Sequence, residues 1–280
     1  MSIALGCART ETRASTSTSS REAPMRRSSA RFRAKSRRRL RSLPDLDLDA
    51  LLPPEIDGDL ESLQREAGAV FGEDGYALRF GDVQEEISAI KTSAAVVDRS
   101  DWGLFRSAGS DALGALKAIA SEGDVDDLGV AGEGMEITLV CTGERAQVYF
   151  QSEGFLVIVP PSAADAVADA LESFPDQQTM ELNDKCAFLT VLGPRIDEFL
   201  SKTGLVDVLS RDLCAHQVFG FANRPVIAAR SSEHDVPAAN LIVDESIAGE
   251  VWATISRTGV VPCGSEASDA ILIDLGRRFE

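Results

Sequence analysis

Apolar positions along the chain change period several times, and each change marks an element. Over residues 60–71, Leu63, Ala67 and Val70 share one helical face ahead of the glycines at 72 and 75. Residues 82–92 predict a second short helix. Val96, Val97 and Asp98 then read as the end of a buried turn into a strand. In that strand Trp102, Leu104 and Arg106 alternate with Gly103, Phe105 and Ser107, a period of two. Gly109, Ser110 and Asp111 break it, and Ser110 or Asp111 is placed to cap a helix from about Ala112. Leu113, Leu116 and Ile119 give that helix one apolar stripe.

The glycine-containing acidic stretch 123–134 predicts a loop, with the acids at 124–127 as a solvated turn lacking the ligand spacing of a calcium site. Runs at 135–142, 145–151 and 155–160 are rich in β-branched and aromatic residues, with turns at Gly143-Glu144 and Gly154. They predict an antiparallel meander. A helix follows at 163–174 with Val167 and Leu171 inward and Pro175 as its stop. Residues 186–192 predict a strand, and Gly193-Pro194 opens a helix to about 202 with Ile196, Phe199 and Leu200 inward. Residues 204–221 read as irregular, with His216 and His234 as loop or surface residues. Strands are predicted at 225–230 and 240–244, a helix at 247–258 capped by Ser246 and closed by Gly259, a connector at 260–264 and a last helix at 266–275. The class is α+β, with mixed, mostly antiparallel sheets and packed helices.

Charge divides the 280 residues unevenly. Residues 1–41 hold 12 of the 28 Lys and Arg and 2 of the 45 Asp and Glu. The remaining 239 residues therefore hold 16 basic against 43 acidic side chains, a balance of −27 within a total of −17. A body this acidic repels phosphate backbones and anionic membrane surfaces, so neither nucleic acid nor membrane is expected as a partner. No apolar run approaches the roughly 18 residues a membrane span needs. The first 41 residues, rich in Ser, Thr and Arg and poor in acids, have the composition of an organellar transit peptide, chloroplast before mitochondrion. Residues 42–80 follow as a linker, rich in proline and aspartate at its start, with a short helix. The five cysteines, Cys7, Cys141, Cys186, Cys214 and Cys263, are scattered. No pair has metal-ligand spacing, so they read as small buried residues in a reducing compartment, and no metal site is expected.

Three stretches carry a resemblance. Val97, Asp98, Ser100, Gly103, Gly109, Asp111, Ala112 and Leu116 match the opening of a folate-binding domain, with Arg99 and Asp101 departing from it. Leu192-Gly193-Pro194 matches a strand-to-helix junction of the same domain. Gly259, Val260, Pro262, Gly264, Glu266, Ala267, Asp269, Ile273, Asp274 and Gly276 match its closing stretch in one register. Residues 81–276 thus resemble the folate-binding domain shared by the T-protein (aminomethyltransferase) of the glycine cleavage system and the YgfZ-type proteins, in particular plastid YgfZ-type proteins.

That resemblance implies tetrahydrofolate as cofactor and Asp98, Gln147 and Asn240 as the residues beside it. It also exposes departures. The T-protein carboxylate at the pterin falls here on Ala146 or Gln147, a second carboxylate falls on Asn240, and an arginine falls on Leu272. Amides can hydrogen-bond a pterin without assisting through charge. No catalytic residue is therefore assigned. The expectation is a folate-binding-like protein of the YgfZ type that supports iron–sulfur cluster assembly or repair, with iron–sulfur proteins as partners and no aminomethyl transfer. A tetrahydrofolate-dependent aminomethyltransferase and a scaffold that has lost the pocket are the alternatives. Residues 277–280 read as the start of a further region in which YgfZ-type proteins carry a cysteine motif.

Overall fold

The computed structural model describes residues 58–276, apart from Pro175, Val206, Ala222, Asn223, Ser232 and Glu233. The expected transit segment 1–41, most of the linker and the 277–280 tail lie outside the described residues, as does the Pro175 stop.

The chain runs α1 (Leu60–Glu66), β1 (Val70–Phe71), β2 (Ala77–Arg79), α2 (Val83–Thr92), β3 (Ala95–Asp98), β4 (Gly103–Gly109), α3 (Ala112–Ile119), β5 (Gly134–Thr138), β6 (Arg145–Gln151) and β7 (Gly154–Val159). It continues through α4 (Ala164–Glu172), β8 (Gln177–Glu181), β9 (Cys186–Leu192), α5 (Ile196–Thr203), β10 (His216–Phe221), β11 (Arg224–Ser231), β12 (Ala238–Asp244), α6 (Glu245–Arg257), β13 (Val261–Cys263) and α7 (Ser265–Asp274). A six-stranded sheet has the order β10-β11-β12-β9-β3-β13, antiparallel except for the β13–β3 pair. A five-stranded antiparallel sheet has the order β5-β6-β7-β4-β8 and contains the predicted meander.

Side-chain alternation stacks these layers. On β4, Leu104 meets Tyr149, Ile158, Phe188 and Ile242 between the two sheets, while Phe105 faces α3 and α4. On β9, Phe188 faces the second sheet, whereas Ala187, Leu189 and Val191 meet α5 and α6. The order is helices, sheet, sheet, helices, with the sheets packed face to face. Beyond the edge of the second sheet, α2 and α7 cover the inner face of the six-stranded sheet through Ile90, Val97, Leu192, Ala267 and Ile271. The mixed α+β class follows from this architecture. Leu60 and Leu63 of α1 also pack into the α5–α6 layer, so residues 58–80 are docked on the body. Among the described residues no helix is long and apolar enough to cross a membrane.

Several local expectations change. Val96, Val97 and Asp98 belong to a fully buried strand rather than a turn. The stretch read as irregular contains β10, and β8 has no apolar alternation at all. Both are sheet edges, where solvent takes one side and the apolar signal weakens. The connector at 261–263 pairs in parallel with β3. Asp244, not Ser246, caps α6 by accepting from the Ser246 N–H at 3.0 Å. His216 and His234 are buried at 9% and 2% exposure, contrary to a surface reading. Cys214 and Cys263 are buried, but Cys141 is exposed and Cys186 half-buried. At the Leu192-Gly193-Pro194 junction, Gly193 has φ +124°, and a Cβ there would stand 2.3 Å from the Ser93 carbonyl oxygen. Glycine is required because α2 ends against that turn.

Candidate functional site

Successive register partners across β10, β11, β12, β9 and β3 are His216, Ala229, Asn240, Thr190 and Val97. Direct partners in a sheet share a face. This row therefore lies on the inner face of the six-stranded sheet, opposite β6. On β6, Ala146 packs with the α3–α4 layer, so Gln147 is the residue turned between the sheets, and Tyr149 follows two positions later on the same face.

The polar members of the two faces meet. Asn240 Nδ2 donates to Gln147 Oε1 at 2.8 Å and to the Tyr149 hydroxyl at 3.2 Å. Tyr149 donates to the same Gln147 oxygen at 2.8 Å. Thr190 donates to Asn240 Oδ1 at 2.9 Å, and Gln147 Nε2 donates to Ser231 Oγ at 3.3 Å. All five side chains are at most 5% exposed. Both N–H groups of Asn240 and both lone pairs of the Gln147 carbonyl are thereby used. His216 stacks on Tyr149 with ring centroids 5.2 Å apart, and burial pushes its pKa down, keeping the ring neutral. The network bridges the sheets without a charged group.

Gln147 and Asn240 are thus brought together, as the sequence reading grouped them. Asp98 is placed elsewhere. It follows Val97 on β3 and so turns to the opposite face. There its Oδ2 accepts from Gln64 Nε2 of α1 at 2.8 Å, and its Oδ1 accepts from the Ser100 N–H and hydroxyl. Glu144 also lies outside the network, accepting from Ser162 Oγ at 2.7 Å just ahead of α4. Leu272 is fully buried. Thr190, Tyr149 and Ser231 escaped the sequence reading. The signal was a polar residue at an inward position of an apolar strand, as in Cys186–Leu192, where only Thr190 interrupts the pattern.

Of the two departures from the opening pattern, Arg99 lies in a second, buried cluster, and half-buried Asp101 feels its charge. Arg99 is 2% exposed. Its Nη1 donates to Ser268 Oγ at 2.5 Å, its guanidinium lies 4.4 Å from the Trp102 ring centroid, and Nη2 is 3.8 Å from Asp269 Oδ1. Ser268 Oγ also lies 2.7 Å from His234 Nε2. Burial pushes Asp101 up to about 6, with Arg99 pulling against it and Asp269 and Asp98 adding to it. Burial raises Asp269 as well, again opposed by Arg99. The cation at 99 and the acid at 101 therefore compensate one another in part. Among the described residues no group of three or more His, Cys, Asp or Glu side chains is placed to hold a metal ion.

No family model matches the chain. It is 24% identical over 233 residues to a chloroplastic protein of Arabidopsis thaliana whose name proposes transferase activity, covering 80% of the chain and 54% of that protein. It is 26% identical over 233 residues to an aminomethyltransferase of Streptomyces avermitilis, covering 78% and 62%. The crystal structure of the glycine cleavage system aminomethyltransferase T from Bartonella henselae superposes with a TM-score of 0.63 at 19% identity, over 78% of this chain and 62% of that one. The chain is homologous to the aminomethyltransferases and shares their fold. It spans between 54% and 62% of the length of these proteins.

Proposed function

We propose that this homologue of the aminomethyltransferases has kept their fold without the transfer chemistry, and that it serves in the plastid as YgfZ-type proteins do, in support of iron–sulfur cluster assembly or repair. The observation that carries the first half is the closed network of Gln147, Tyr149, Asn240, Thr190 and Ser231. Where the resemblance implies carboxylates that grip a pterin, two amides grip each other. A pterin does not fit the site in this arrangement. Admitting one breaks several buried hydrogen bonds, each costing about 1 kcal/mol, and provides no charge in exchange. No acid in the network can take a proton or stabilise charge on a folate nitrogen. Asp98 supplies none either, since it is tied to Gln64 on the other face of the sheet.

The plastid assignment is supported by the chloroplastic relative and by the Ser- and Arg-rich composition of residues 1–41. The iron–sulfur role rests on the resemblance to YgfZ-type proteins. Binding of tetrahydrofolate without transfer is the second reading, favoured by Gln147 and Asn240, whose amides keep hydrogen-bonding groups where the resemblance places the pterin. Calorimetric titration of the full chain with tetrahydrofolate, alongside a turnover assay with an aminomethylated carrier protein, separates these readings. The proposal expects no turnover and no binding heat. Binding heat alone moves the assignment to the second reading, and turnover refutes both. The cellular half is tested by expressing the chain in a plastid null line and measuring iron–sulfur enzyme activities. Failure to restore them rejects that role.

A further inference from the structure

Gly109 and Ser110 play no part in the network described above, yet they form one wall of a cavity of about 560 Å³. The hairpin between β6 and β7 forms the second wall, and loop residues Leu128 and Gly129 the third. That volume lies within the range of small-molecule sites. We propose that this cavity binds a small organic cation, a protonated amine carried on an apolar body.

Ala112, Leu113 and Leu128 offer an apolar surface, and Ser110, Gln151 and Glu153 contribute the polar groups. Among the lining residues Glu153 carries the one charged side chain. The nearby Arg106 is held by one of these polar groups, its Nε donating to Gln151 Oε1 at 3.1 Å. The amino-terminal end of α3 is answered as well, because the Gly114 N–H is held by Asp111 Oδ1 at 3.2 Å. The charge that an occupant of the cavity meets on its walls is the Glu153 carboxylate, which repels an anion and attracts an ammonium group. Residues 42–280 carry 27 more acidic than basic side chains, which raises the local concentration of cations. The walls are also braced in place. Gly109 donates its N–H to the Glu153 carbonyl at 3.2 Å, fixing the turn to the hairpin. Gly129 sits so close to Phe150 that a Cβ would stand 2.3 Å from the ring. The inference rests on this cavity alone, so its outcome is independent of the fate of the amide network.

Three probes of similar shape test it on the full chain: benzylammonium, benzyl alcohol and benzoate, titrated by ligand-observed NMR. Benzylammonium is expected to bind at least about fivefold more tightly than benzyl alcohol, with benzoate weakest. Glu153→Gln should remove the preference for the amine while benzyl alcohol binds as before. Ser110→Trp, a substitution at an exposed position on the cavity wall, should block all three. Equal affinities for the three probes overturn the proposal. So does the absence of benzylammonium binding at about 10 mM, or binding that survives Ser110→Trp in protein with an unchanged circular dichroism spectrum.

Discussion

Removing the Asp101 carboxylate should stabilise the protein at alkaline pH, although it deletes a negative charge next to a buried arginine. The reason lies in the balance of forces on that carboxyl. Burial is the largest influence, Asp269 and Asp98 act with it, and Arg99 opposes all three without overcoming them. The outcome is a rise from 3.8 to about 6. That is a difference in proton affinity on the order of a hundredfold, or about 3 kcal/mol. Below about pH 4 the group is protonated in the folded and unfolded chains alike, and it costs nothing. Between about pH 4 and 6 the unfolded chain releases the proton while the folded chain holds it, so stability falls as pH rises. Above about pH 6 both forms are ionised and the folded state bears the whole penalty. Asp101→Asn should therefore raise the unfolding free energy at pH 8 by about 1–3 kcal/mol, with the difference from wild type vanishing near pH 4. Urea unfolding of both proteins at pH 4, 6 and 8 is the assay. The variant comparison is needed because His216, whose pKa burial lowers, acts in the opposite sense: its contribution is present above pH 6.5 and lost as pH falls below it. If Asp101→Asn is less stable than wild type at pH 8, attraction to Arg99 outweighs burial and the reasoning fails.

Three further substitutions probe other parts of the structure. Asn240→Asp replaces two donated hydrogen bonds with a buried carboxylate facing the Gln147 oxygen, and should cost about 2–4 kcal/mol in urea unfolding at pH 7. A loss below about 0.5 kcal/mol would mean that the network is open to water. Glu86 accepts from the backbone N–H groups of Phe80, Gly81 and Gly264 at 2.6, 2.8 and 2.8 Å, so Glu86→Ala should cost about 3 kcal/mol or more, with Glu86→Gln recovering part of it. Gly249 on α6 lies against the start of α1, where a Cβ would stand 2.4 Å from the Gly58 carbonyl oxygen. Gly249→Ala should therefore speed hydrogen exchange in α1 selectively, and uniform protection would contradict that packing.

Much of the fold was written in local pattern. The meander, the α4 stripe of Val167 and Leu171, and the α5 stripe of Ile196, Phe199 and Leu200 each lie where periodicity alone placed them. These elements are buried on at least one face, so the period is imprinted at every turn. β8 and β10 left no such imprint. They are sheet edges, and their pairing partners lie far away in sequence or in a strand whose own pattern is no guide to a neighbour. Asp98 shows the same limit at one residue. Its identity matched the folate-binding pattern, but which face it occupies depends on the register of β3 against β9. A shift of one residue would have turned it toward Asn240.

By itself the sequence determined most of the element types, the acidic body, and the amides at Gln147 and Asn240, where the resemblance implies carboxylates, because these are properties of residue identity and local spacing. Only the tertiary structure decided that Gln147 and Asn240 meet in one buried network with Tyr149, Thr190 and Ser231, that Arg99 and Asp101 offset one another in part, and that both histidines are buried. Those facts depend on distances between residues as many as 170 positions apart along the chain. Such distances are set by how the two sheets and their covering helices stack, and no local pattern encodes that.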